Sequence, residues 1–167
     1  GNTGGRNTVR VLERMNISVL FGIPGIHNLS IYEGLTSSPI RHITTRHEQG
    51  AGFMAYGWGK STGTPGVAVA ITGPGLTNIL TPLGQAYHDS VPMLVISTQI
   101  PSKFLSGRTG YLHELRDSTA MSSSVTKASF RASSPEEIPG LVERGLRLST
   151  EGRPGPVHVE VTLDFLD

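Results

Sequence analysis

The sequence has no cysteine, which excludes disulfide bonds and thiolate metal sites and leaves the redox compartment open. It has no excess of charge either. Fourteen Lys and Arg against 13 Asp and Glu leave a formal net charge of +1, so the balance points neither to nucleic acid nor to an anionic membrane surface as a partner. No apolar run approaches the roughly 20 residues that cross a bilayer, and no secretory leader opens the chain, so the expected location is cytoplasmic. Single-motif chemistry is scarce as well. The six histidines show no metal-ligand spacing, and no metal ion is expected on this chain. No Gly-x-Ser-x-Gly elbow announces a nucleophile. No glycine turn carries the Lys-Ser or Lys-Thr of a phosphate loop.

What is present reads as one α/β domain. The 167 residues, 37% apolar and 16% charged, are enough for a single real core. Twenty-one glycines and 11 prolines signal many tight turns. Short apolar runs, Val19–Gly22, Val67–Ile71 and Met93–Ser97, read as buried strands. Helical spacing fits Arg6–Asn16, Asn28–Leu35, a segment after Glu48, Leu76–Tyr87 and a last helix from Pro135 with Ser134 as its N-cap. Ala128–Ala132 fits an edge strand, Val157–Val161 alternates like a final strand, and Leu112–Met121 is ambiguously helical. Strands alternating with helices predict a doubly wound, mainly parallel sheet with helices on both faces.

The stretch Arg41–Lys60 organises the rest. A β-branched strand end, Ile43-Thr44-Thr45, turns at Glu48 into a helix with Ala51, Met54, Ala55 and Trp58 on one face. Gly50, Gly52, Gly57 and Gly59 each cost roughly 1 kcal/mol in a helix against alanine, so something is expected to pack closely on this backbone. Three turns fall at carboxyl ends of strands, where open α/β sheets hold ligands: Pro24-Gly25, His47-Glu48 and Thr72-Gly73-Pro74-Gly75. Each also has an ordinary explanation. A glutamate at a helix start is commonly a capping residue, and Gly-Pro-Gly is commonly a structural turn.

Five blocks occur in order: Phe-Gly-Ile-Pro-Gly (21–25), Arg-His-Glu-Gln-Gly-Ala (46–51), Thr-Gly-Pro-Gly-Leu-Thr-Asn (72–78), Asp-Ser-Val-Pro-Met (89–93) and Gly-Arg-Pro-Gly-Pro-Val (152–157). Together they resemble the N-terminal pyrimidine-binding domain of thiamine-diphosphate enzymes of the acetolactate synthase and 2-oxo acid decarboxylase type, over essentially the whole chain. The resemblance implies that Glu48 hydrogen-bonds N1′ of the cofactor's aminopyrimidine. Sharing a proton there favours the imino tautomer that activates the thiazolium for attack on a 2-oxo acid. Pro24 and Gly25 would flank the ring, with Thr72, Pro74, Gly75 and Asn78 as the second wall. Between Gly110 and Asp117, where synthases of the family carry Phe-Gln-Glu, this chain has Leu-His-Glu-Leu, so His113 or Glu114 takes the place of the substrate-side glutamine. That segment looks more like the subgroup of guanidino-oxopentanoate decarboxylases. Glu114 or Asp117 would then pair with a guanidinium, or both are solvated loop charges.

The family's Gly-Asp-Gly and Asn-Asn diphosphate motifs do not occur in residues 1–167. The expectation is therefore a single pyrimidine-binding domain excised from a longer three-domain enzyme, inactive alone. Mg2+ would be bound by a domain absent from this chain, and FAD is allowed in the full-length protein. The resemblance implies the diphosphate-binding domain of a neighbouring subunit as partner, in a homodimer or homotetramer. The face carrying Gly57, Gly59 and the Leu76–Tyr87 helix would be part of that interface. A nucleotide- or flavin-binding module anchored on the Gly-Pro-Gly turn, a separate subunit, and a catalytically silent interaction domain are the competing readings.

Overall fold

A computed structural model describes residues 2–167. In chain order the elements are α1 (Gly4–Arg14), β1 (Val19–Gly22), α2 (Leu29–Leu35), β2 (Arg41–Thr44), α3 (Glu48–Thr62), β3 (Gly66–Ala70), α4 (Pro74–Asp89), β4 (Met93–Gln99), α5 (Ser118–Ser123), β5 (Ala128–Arg131), α6 (Ile138–Thr150), β6 (Pro156–Thr162) and α7 (Leu163–Leu166). All six strands run parallel, in the order β2-β1-β3-β4-β6-β5. The expected doubly wound sheet is thus entirely parallel.

Successive strand residues point to opposite faces, and both faces are covered, which is why the strands read as unbroken apolar runs. On one face Leu20, Val67, Val69, Leu94 and Ile96 pack with Val9 and Leu12 of α1 and Ile138, Val142 and Leu146 of α6. On the other, Phe21, Ala68, Ala70 and Val95 meet Ala51 and Ala55 of α3 and Leu76, Ile79 and Leu83 of α4. Each large side chain buried this fully contributes about 1.5–3 kcal/mol of transfer free energy.

The glycine-rich α3 is explained by two of its four glycines. A Cβ at Gly52 would lie 2.3 Å from Pro82 of α4, and one at Gly59 would lie 2.3 Å from the Pro92 carbonyl. Gly57 meets nothing within 4 Å. The buried stripe is Ala51, Gly52, Ala55 and Gly59, so Gly59 faces inward rather than toward a partner, and Met54, expected inside, is 46% exposed.

Three more expectations change. The Leu112–Met121 segment is helical only from Ser118 to Ser123. Ser134 makes no side-chain cap bond. Instead the Glu137 carboxylate accepts the N–H and hydroxyl of Ser133. Finally, β6 alternates but exposes neither side. Val157, Val159 and Val161 face α6, while His158 and Glu160 are buried in a polar network on the opposite face.

Candidate active site

The chain leaves β1 through α2 toward β2 on one side and leaves β3 through α4 toward β4 on the other. Adjacent strands β1 and β3 therefore form the switch point, and the crevice expected of such a sheet lies outside their carboxyl ends. The two turns above it touch through a single side chain. Gly25 and Gly75 both approach Ile71 so closely that a Cβ on either would lie 2.8 Å from it. The first turn is also tied to itself. Asn28 accepts the Gly25 N–H at 2.7 Å and donates its amide to the Ile23 carbonyl at 3.1 Å.

Glu48 is the first residue of α3, but it is not the cap. His47 is: its Nδ1 accepts the Gln49 N–H at 3.0 Å. The capping role that would have explained Glu48 is thus taken by its neighbour. The half-buried Glu48 carboxylate instead reaches α4, where Oε2 accepts the Asn78 amide at 3.0 Å. Its Oε1 has no hydrogen-bond partner among the described residues. An acceptor atom held at a helix N-terminus, with one oxygen fixed and the other free, suits sharing a proton with a ring nitrogen.

The other predicted residues fall into two groups. Pro24 and Gly25 lie on the turn after β1, and Pro74, Gly75 and Asn78 lie in the first two turns of α4, around the crevice. Thr72 lies beneath it. It is fully buried, its N–H donates to Thr98 Oγ1, and its hydroxyl donates to Gln99 Oε1. Thr72 is a strut between β3 and β4 rather than a wall.

The Gly-Pro-Gly turn has no open anion cradle. Gly73 has φ +67°, and a Cβ there would meet the His113 carbonyl at 2.6 Å. Only glycine accepts both the left-handed backbone and that contact. The segment before α5 therefore folds down onto this turn and brings His113 to the crevice. Glu114 does not follow it. Its carboxylate accepts the N–H groups of Thr109 and Gly110 at 3.2 and 2.8 Å. Asp117 caps α5 through the Ala120 N–H, a bond that holds its carboxyl below the usual range. Glu114 is thus oriented by its own loop, and Asp117 by the start of α5 through Oδ1.

Sequence reasoning passed over one residue here. His27, in the 3₁₀ turn Ile26–Asn28 after Pro24-Gly25, is 3% exposed. Its ring centroid lies 5.8 Å from that of His113. Burial, then His113 itself, lowers its pKa. The one available signal was an imidazole two residues past a Pro-Gly turn.

Residues 2–121 match the family described as thiamine pyrophosphate enzyme, N-terminal TPP binding domain. The chain is 49% identical over 98% of its length to a probable 2-ketoarginine decarboxylase of Pseudomonas aeruginosa. It is 42% identical over 97% to the acetolactate synthase large subunit of Corynebacterium glutamicum. The acetolactate synthase isozyme 1 large subunit of Escherichia coli is 38% identical, again over 97% of this chain. The chain spans between 26% and 29% of the length of these relatives.

Proposed function

The chain belongs to the thiamine pyrophosphate enzyme family as its N-terminal TPP-binding domain, and from that premise we propose that it supplies the pyrimidine-side wall and the activating carboxylate of an enzyme acting on 2-oxo acids. The observation that carries this reading is the Glu48–Asn78 pair beside the Ile71-linked turns.

These residues fit an aminopyrimidine. The turn residues Pro24, Gly25, Pro74 and Gly75 offer close backbone approach without large side chains. Glu48 offers one oxygen restrained by Asn78 and one unoccupied. In the proposed role Glu48 Oε1 shares a proton with the ring nitrogen N1′, and Asn78 keeps the carboxylate from rotating away. Thr72, locked to Thr98 and Gln99, keeps the second turn in register with β4. Bound thiamine pyrophosphate supplies the nucleophilic carbon and electron sink through which a 2-oxo acid loses CO2 or is joined to a second carbonyl compound.

Diphosphate and Mg2+ would be held by a domain outside these residues, contributed by a neighbouring subunit in a homodimer or homotetramer. FAD, if carried, would sit outside them too. The exposed Phe53, Met54 and Tyr87 on α3 and α4 give such a partner an apolar surface to cover. No helix is long and apolar enough to cross a membrane among the described residues, consistent with the cytoplasmic location we propose.

The substrate proposal follows the relatives: pyruvate or an arginine-derived 2-oxo acid. Glu114 is oriented by one N–H on each oxygen and Asp117 by bonds to Oδ1 alone, so each keeps acceptor capacity that a guanidinium could use. The test is to assay the full-length protein with thiamine pyrophosphate and Mg2+ against pyruvate and 2-ketoarginine. Turnover of at least one, lost in Glu48→Gln with the fold intact, is expected. Undiminished turnover in Glu48→Gln overturns the assignment.

A further inference from the structure

Two imidazoles meet at the crevice, and both are left short of a partner. The Nδ1 atoms of His27 and His113 are buried without any hydrogen bond, although their rings stand 5.8 Å apart with planes tilted by 57°. Leaving a buried nitrogen unpaired costs about 1–3 kcal/mol, so two orphans side by side call for a shared explanation. No carboxylate provides one. Glu114, next in sequence to His113, is bonded to Thr109 and Gly110. Asp164 of α7, the short helix that also approaches the His27 turn, is bonded to Ser102. The backbone of His113 has φ +67°, in the left-handed region that histidine enters more readily than most residues, and its carbonyl lies over Gly73.

We propose that His27 is a positioning residue for His113: a single water bridges the two Nδ1 atoms, and this bridge fixes the tautomer that His113 presents to the acid substrate. The inference rests on the proposed function for its substrate, but the pairing itself does not. An imidazole with both nitrogens free interconverts between tautomers, and its outer nitrogen is donor and acceptor by turns. Tying Nδ1 to a buried neighbour leaves Nε2 of His113 with one role. His27 suits the anchoring part, being enclosed, neutral and set in a turn that Asn28 braces. His113 suits the presenting part, being half-buried on a loop laid over Gly73.

The pairing is tested by imidazole 15N spectra of the 167-residue chain, which need neither cofactor nor substrate. His113 should show one pyrrole-like and one pyridine-like nitrogen. His27→Gln should collapse that difference. His27→Asn, whose side-chain amide stands where Nδ1 stood, should retain it. In the full-length protein His27→Gln should lower kcat/KM for the 2-oxo acid about 10- to 100-fold, as removal of an orienting partner does elsewhere, with the affinity for thiamine pyrophosphate unchanged and His27→Asn largely restored. Tautomer averaging in the unaltered chain, or identical spectra in all three proteins, overturns the pairing. A fixed tautomer that responds to His27→Gln, in a full-length protein that turns over no 2-oxo acid, keeps the pairing and sinks the substrate reading instead.

Discussion

Two glutamates in this domain lie in opposite circumstances. Glu160, in β6, is fully buried and completely engaged: Oε1 accepts the Ser118 hydroxyl and the Gln99 amide, and Oε2 accepts Arg131 Nε at 2.5 Å. Glu48, at the start of α3, is half-buried and engaged through one oxygen only. Burying a charge is tolerable where every lone pair is matched, and such a group has nothing left to offer a ligand. A carboxylate held by one neutral amide is oriented yet unspent. By that criterion the β4–β6–β5 side of the sheet is framework and the β2–β1–β3 side is the working edge.

The contrast predicts opposite outcomes for two substitutions, and the larger concerns Glu48. Glu48→Gln in the full-length protein should lower turnover by about 10²–10⁴, the range for a lost acid–base group. Urea unfolding of the chain should move by no more than about 0.5 kcal/mol. Glu160→Ala should do the reverse to stability. It strips Arg131, Ser118 and Gln99 of their common acceptor and should lower the unfolding free energy by about 3 kcal/mol. Equal destabilisation by the two changes would erase the distinction between framework and working edge.

How far this distinction was legible in the sequence depends on the residue. Of the five ordered blocks, those around Gly25, Glu48 and Thr72–Asn78 fall at the carboxyl ends of strands. Asp89–Met93 and Arg153–Pro156 lie instead at the amino ends of β4 and β6, where Arg153 bonds Ser90. Continuous apolar runs disclosed the parallel sheet, because only strands covered on both faces read that way. Glu160 and His158 were not legible as core. Alternation in β6 looks the same whether its polar face meets water or a hydroxyl-lined helix such as α5, and Ser118 and Ser122 show their purpose only in space. His47 as the cap of α3 was also hidden, since neither histidine nor the glutamate beside it is among the favoured N-cap residues. The loop before α5 carried only an ambiguous helical signal, so its contact with Gly73 could not be foreseen.

The framework side makes a further prediction through pH. His158 is enclosed by Ser97, Ser122 and Ser129, which bond its two ring nitrogens. Burial, with Arg131 adding to it, lowers its pKa from 6.5 to about 3. The unfolded chain therefore takes up a proton near pH 6.5 that the folded chain refuses until about pH 3. Stability is complete above pH 6.5 and falls as the pH drops through that window, with a slope from this group approaching about 1.4 kcal/mol per pH unit. Urea titrations between pH 7 and pH 5, where carboxylates scarcely titrate, should show the slope, and His158→Gln should reduce it, leaving the share that the buried His27 and the half-buried His42 contribute with the same sign. A variant with an unchanged slope would mean that water reaches the imidazole.

The smallest predicted effect carries the same contrast into the backbone of α3. Gly52 is fully engaged, since an added methyl would press to 2.3 Å on Pro82 and 2.8 Å on Ile79. Gly52→Ala should therefore destabilise the chain despite alanine's better helix propensity, because overpacking outweighs it. Gly57 is unengaged, with nothing within 4 Å of an added Cβ, so Gly57→Ala should raise the stability of the chain by about 1 kcal/mol. In the full-length protein the sign is diagnostic. If a neighbouring subunit covers the outer face of α3 beside Phe53 and Met54, the methyl group that steadies the isolated chain will loosen the assembly, and sedimentation will show smaller species. If assembly is unaffected, the partner does not cover the outer face of α3.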